Sequence, residues 1–240
     1  MMMTIMTLFA GFTMVLDRYG AVRIRFTWRN RSVNKSTPKT SQKVLADCKD
    51  QRGHGGKYTY FSFCTPLEAH QRLKVDQPCA ELSWEDLENK SRALYKEIYS
   101  VLRCQTVLKD TGVCYKDSEE TLKIKDYEEI NTSVADVSRA VKNYMKDGPM
   151  IGVFEVFGSI FDHYGKPKDK SNFFDDIYVV NPHQGGRWTH TVTITGFGVQ
   201  GKYPFWEFQN SYGPLWRGAA RGFGQIYAVH LYRLYGFTLV

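Results

Sequence analysis

Three side chains in this 240-residue chain are of types that, brought together, can carry out acyl transfer: Gln51, His190 and Asn210. His190 has the imidazole that a general base needs. A carboxamide such as Asn210 can orient that ring through its other nitrogen, and the amide of Gln51 can donate to an oxyanion forming on a carbonyl. The set also needs an attacking group. A thiolate serves best, its pKa lowered by a neighbouring imidazolium and a helix N-terminus. The loop after Gln51 runs Arg52-Gly53-His54-Gly55-Gly56-Lys57-Tyr58 and holds no cysteine. Cys64 lies six residues past Tyr58, about 600° around a helix, and is expected to be a buried, inert thiol. Cys48 precedes Gln51 and is a remote candidate. Lys57 can act as an amine nucleophile only if desolvated.

Each residue also has a plainer reading. A lone strand histidine is usually a packed or solvated side chain, and an Asn shortly before a Gly usually serves a turn. The surrounding text argues for more. Gly148-Pro149, Ile177-Tyr178, Thr189-His190-Thr191-Val192, Gly196-Phe197-Gly198, Phe205-Trp206, Gln209-Asn210-Ser211-Tyr212-Gly213, Trp216 and Gly222-Phe223 follow one another in a fixed order. Upstream stand Trp28-Arg29, Lys49-Asp50-Gln51, Phe61-Ser62 and Leu67-Glu68. In these motifs the chain resembles the papain-like cysteine peptidase family, from about Phe26 to Val229, more strongly in its C-terminal half.

The resemblance implies an α+β, two-lobe fold: an abbreviated helical lobe and an antiparallel, barrel-like β lobe, with the site in the cleft between them. The expected division is an N-terminal extension at 1–25, a helical lobe at 26–130 carrying a basic loop insertion at about 32–42, and a β-rich lobe at 131–240. It also implies roles: His190 as base, Asn210 as its orienter and Gln51 in the oxyanion hole. The interval from Gln51 to Phe61 is one residue longer than the family's. Counting forward from Gln51 therefore puts Lys57 at the nucleophile position, and counting back from Phe61 puts Tyr58 there. Neither can replace a thiolate. Tyr212 stands where the family has the Trp that shields the Asn–His hydrogen bond. The expectation is a pseudoprotease that binds a peptide or protein through the old cleft or its surface; the alternative is an active cysteine-type endopeptidase.

The elements that must position these residues are legible in outline. A central helix is expected from about Lys57 to Leu73, kinked or interrupted at Pro66. Ser83-Trp84-Glu85-Asp86 reads as a capped helix start, followed by a stripe of Leu87, Leu94, Ile98 and Val101. Another helix is expected to begin at Ser133-Val134-Ala135-Asp136, with Val137, Val141 and Tyr144 inward and Gly148-Pro149 as its stop. Strands are expected at 150–157, 191–197, 205–209 and 224–229.

Composition is that of a globular chain, 42% hydrophobic and 15% aromatic. Eight of the 32 Lys and Arg fall between Arg18 and Lys43 with no acid among them, leaving 24 bases against 25 acids elsewhere. Such a run reads as a solvated extension; without a recognised module, nucleic acid is not an expected partner. No stretch reaches a membrane span of about twenty apolar residues. Cys and His are scattered without metal-ligand spacing, and no phosphate loop appears, so no metal or cofactor is expected. Residues 1–16 have the apolar look of a signal peptide but no basic start. The five cysteines lack the family's pairings; with no propeptide before Trp28, this favours an intracellular setting, a Cys79–Cys114 bridge staying open as an alternative.

Overall fold

A single long strand organises the molecule. In the computed structural model, which describes residues 22–33, 42–54, 57–76, 79–94, 100–132, 141–156, 177–179, 188–201, 203–216 and 221–240, the chain first forms β1 (Val22–Thr27) and the short pair β2 (Ser32–Val33) and β3 (Gln42–Lys43). Three helices follow: α1 (Tyr58–Val75), α2 (Trp84–Ala93) and α3 (Ser100–Asp110). Then come β4 (Val113–Cys114), β5 (Thr121–Leu122), β6 (Ile124–Ile130), β7 (Met150–Val156), β8 (Trp188–Gln200), β9 (Tyr203–Gln209), β10 (Phe223–Tyr227) and β11 (Leu231–Leu239).

Seven of these strands make one antiparallel sheet in the order β10-β9-β8-β7-β11-β6, with β1 added to β8. The path is open, so among the described residues the expected barrel-like lobe is an antiparallel sheet without closure. β8 changes partners along its length. Trp188–Ile194 pairs with β7, and Gly196–Gln200 pairs with β1, with a register irregularity at Thr195. Gly196 permits the exchange: a Cβ there would lie 2.2 Å from the carbonyl oxygen of Phe26.

Burial follows the alternation of a pleated strand. From β7, Met150, Phe154 and Val156 enter one core with Val192, Ile194, Trp206 and Phe208, whereas Ile151 and Val153 enter the other with Phe63, Leu67, Leu87 and Leu108 of the helices. The first core also takes Trp28, Val33, Val44 and Leu45, so these residues of the expected helical lobe pack with the sheet.

Several expectations meet their physical test here. Pro66 lies inside α1 without ending it. Proline removes the N–H that would bond the Ser62 carbonyl, and that carbonyl instead accepts from the Thr193 hydroxyl of β8 at 3.4 Å. Ser83 caps α2 as expected, accepting from the Asp86 N–H at 3.0 Å. The anticipated stripe is split, because α2 ends at Ala93 and Leu94 is extended, with Val101 in α3 (Ser100–Asp110). Beyond the four expected strands, β1, β6 and β11 complete the sheet. The helix start at Ser133, Val137, Ile98, residues 1–21 of the extension and 34–41 of the insertion lie outside the described residues. A helical turn at Val141–Met145 precedes Gly148-Pro149, with Val141 and Tyr144 packed on the sheet core. Among the described residues, no helix is long and apolar enough to cross a membrane.

Candidate active site

His190 and Asn210 meet because β8 and β9 are antiparallel neighbours. His190 sits on β8 opposite Phe154 of β7, and Asn210 follows the last residue of β9. The imidazole Nε2 lies 2.8 Å from Asn210 Oδ1, which also accepts from the Ser211 N–H at 2.8 Å. A carboxamide oxygen only accepts, so Nε2 carries the proton and Nδ1 is left as the basic nitrogen. The pair is sheltered. Tyr212 stands 5.6 Å from the imidazole, centroid to centroid, and is itself met edge-on by Trp216 at 5.9 Å. His190 is 2% exposed. Burial pulls its pKa down to about 4, against the opposing pull of the Asn210 hydrogen bond.

Gln51 is brought in by the same loop. Its N–H donates to the Ser211 carbonyl at 2.8 Å, and its side-chain oxygen accepts from the Ser211 hydroxyl. The amide nitrogen has no partner among the described residues, so it is available as a donor. Behind it, Gly213 N–H bonds the Lys49 carbonyl at 3.0 Å, and Lys49 Nζ pairs at 2.7 Å with the fully buried Glu68 of α1. Glu68 also takes the Leu82 N–H at 2.8 Å. A buried carboxylate with an ammonium and an N–H donor on one oxygen fixes the Gln51 loop to the central helix.

The nucleophile side is different. Of the two candidates, Tyr58 faces His190: its ring lies 5.0 Å from the imidazole, at the first residue of α1. Burial raises its pKa, against a smaller opposing influence of Thr189, so the phenol stays protonated. Lys57 turns away. Its Nζ pairs with Glu88 at 2.8 Å and lies 5.1 Å from the Trp84 ring. Arg92 holds the other oxygen of Glu88 at 2.7 Å. His54 packs its ring on Trp84 at 5.1 Å, and Phe61 stacks there at 4.7 Å.

No thiol fills the gap. Cys48 hydrogen-bonds the Asn210 carbonyl, and burial pushes its pKa up to about 12. Cys64 is fully buried in the helical core, its thiol pushed higher still by desolvation. Neither hydrogen-bonds His190. All five cysteines are free, Cys79 and Cys114 included. Among the described residues no group of His, Cys, Asp and Glu could hold a metal ion.

One feature of the site carried no sequence signal. Beside Tyr58 opens a cleft of about 320 Å³, with Trp188, Thr189 and Tyr232 at its rim and Val153, Glu155 and Arg233 deeper. Its walls come from α1, α3, β7, β8 and β11, elements too far apart in sequence to be associated by any local pattern.

A helical lobe against an antiparallel sheet, with an Asn-held imidazole facing the start of the central helix, is the layout of the papain-like cysteine proteases. The chain belongs to that family: the profile described as "Papain family cysteine protease" matches residues 25–229. Solved structures of similar fold include that from the study of the mite allergens Blo t 1 and Der p 1 (16% identity, 94% of this chain and 74% of that one, TM-score 0.62). Xylellain, a cysteine protease from Xylella fastidiosa, shares 14% identity over 95% of this chain and 91% of its own, with TM-score 0.63. The Carica candamarcensis cysteine protease CMS1MS2, solved with E-64, shares 16% identity over 81% and 93%, with TM-score 0.60. No curated protein matches the sequence.

Proposed function

We propose that this protein is a catalytically inactive papain-family member that binds a peptide or protein segment in the cleft beside Tyr58. The observation that carries this reading is the Tyr58 ring against His190 at 5.0 Å, with no thiol bonded to the imidazole. A protonated phenol cannot take the place of a thiolate in acyl transfer. Binding is supported by what stays open: the Gln51 amide nitrogen, and a cleft rimmed by Trp188 and Tyr232, which are 37% and 52% exposed. Aromatic rims over a few polar groups suit an extended peptide.

The deciding experiment treats the folded protein with an epoxysuccinyl inhibitor and reads its intact mass. No adduct is expected. A single stoichiometric adduct that disappears in His190→Ala would overturn the reading in favour of a working endopeptidase, with His190 as base, Asn210 as orienter and Gln51 as oxyanion donor. Peptides retained on the immobilised protein should be lost in Trp188→Ala; retention unchanged by that substitution would place binding elsewhere.

A further inference from the structure

The described residues enclose a second concavity, of about 400 Å³, towards the far end of α1. His70 in its wall lies twelve residues beyond Tyr58, about 18 Å along the helix axis. The two sites are therefore separate.

His70 is 7% exposed, with its ring against Phe237 at 4.4 Å. On another side it meets Gly148, where an added Cβ would come within 2.4 Å of the imidazole. Its Nε2 bonds the Pro149 carbonyl oxygen at 2.9 Å. That oxygen only accepts, so Nε2 carries the proton and Nδ1 is a bare acceptor. Burial depresses the pKa to about 4, so the ring is neutral at pH 7. Among the described residues nothing donates to Nδ1, which is not sealed from solvent and can accept from a ligand.

The rim supplies both signs of charge. Lys146 and Asp147 are exposed neighbours in the loop, and neither side chain forms an ion pair among the described residues. Lys74, also at the rim, is occupied by the Val240 carbonyl oxygen. Between these charges lie the apolar faces of Trp28, Leu73 and Phe237. A cation with N–H donors fits Asp147 and His70 Nδ1 together, and an anion fits Lys146.

We propose that this concavity binds a small zwitterion of the α-amino-acid class with a large apolar side chain. Its ammonium reaches Asp147 and His70 Nδ1, its carboxylate reaches Lys146, and its side chain lies on Trp28 and Phe237. The site stands apart from the cleft and does not depend on how the cleft is used.

The probe is free L-phenylalanine, titrated at millimolar concentration into the full chain with ¹⁵N-labelled histidine. Saturable binding should shift the His70 Nδ1 resonance. Lys146→Glu and Asp147→Asn each change one exposed rim side chain. Reversing the charge at Lys146 should weaken binding roughly tenfold, about twice the contribution of one exposed ion pair. Phenethylamine and 3-phenylpropionate, each with one charge, should bind more weakly than the amino acid. The proposal is overturned if the His70 resonance does not move, if both rim variants bind as the wild type does, or if Trp188→Ala abolishes the signal.

Discussion

The two sides of His190 have fared differently. On the β9 side, Asn210, Ser211 and Gln51 form a closed hydrogen-bonded set, tied through Lys49 to the buried Glu68. On the α1 side, a phenol stands over the imidazole, and the neighbouring lysine is drawn off to Glu88. The first side consists of interactions that also hold the lobes together, so losing one exposes or orphans buried polar groups. The second side is filled by an aromatic ring that packs on the imidazole. On the proposed reading, a site of this kind can lose its reaction while keeping most of its architecture.

The sharpest way to break this contrast is to place a thiol at position 58. Tyr58→Cys should accept one epoxysuccinyl adduct per chain where the wild type accepts none, since removing the ring also lets water back to His190. An unlabelled, folded Tyr58→Cys would mean that the β9 side is defective too.

The next effect is in pH. His190 and His70 have folded pKa values of about 4, below the ordinary 6.5. The unfolded chain therefore binds more protons between those values, and stability is lost as pH falls from about 6.5 to 4, by up to about 3 kcal/mol for each ring. Glu207, buried and raised in pKa, runs the other way: its contribution is lost as pH rises through its elevated value. Urea unfolding between pH 4 and 7 should show a net loss towards acid, reduced by about half in His190→Gln. A slope unchanged by that substitution would mean His190 is solvated.

Asn210→Ala should come third. It strips the acceptor from His190 Nε2 and from the Ser211 N–H, for about 1–3 kcal/mol, read as a lower urea midpoint and a shifted imidazole tautomer equilibrium by NMR. The smallest effect belongs to Lys57→Ala. Glu88 keeps Arg92 as partner, so the change should stay within about 1 kcal/mol and leave the His190 resonances in place. If they move as far as in Tyr58→Ala, Lys57 contacts the base in solution.

The sequence revealed Gln51, His190 and Asn210 because each is a polar residue set in ordered motif text, and the structure brings all three to one loop junction. It could not separate Lys57 from Tyr58. The extra residue falls between two fixed points, Gln51 and Phe61, and which side chain turns inward depends on Glu88, which lies far along the sequence and draws Lys57 away. Pro66 was expected to kink or interrupt the helix, and it does not interrupt it: local rules see the lost N–H but not the Thr193 hydroxyl across the lobe junction. β6 was unreadable because its run Ile-Lys-Asp-Tyr-Glu-Glu-Ile carries the charges of an edge strand. β11 hid behind Arg233 and Gly236, which interrupt its apolar alternation.

The bonds around Pro66 also bear on how the protein comes apart. Ser62 gives its hydroxyl to the Thr191 carbonyl at 2.6 Å and takes the Thr193 hydroxyl on its own carbonyl. One helical residue thus shares both of its oxygens with the strand that bears His190. Fraying the middle of α1 must release that stretch of β8, and the reverse also holds. Amide exchange in the two segments should therefore report a single opening event with one free energy. The boundary between the lobes, which looks like a cleft from outside, then behaves at its floor as one unit of folding.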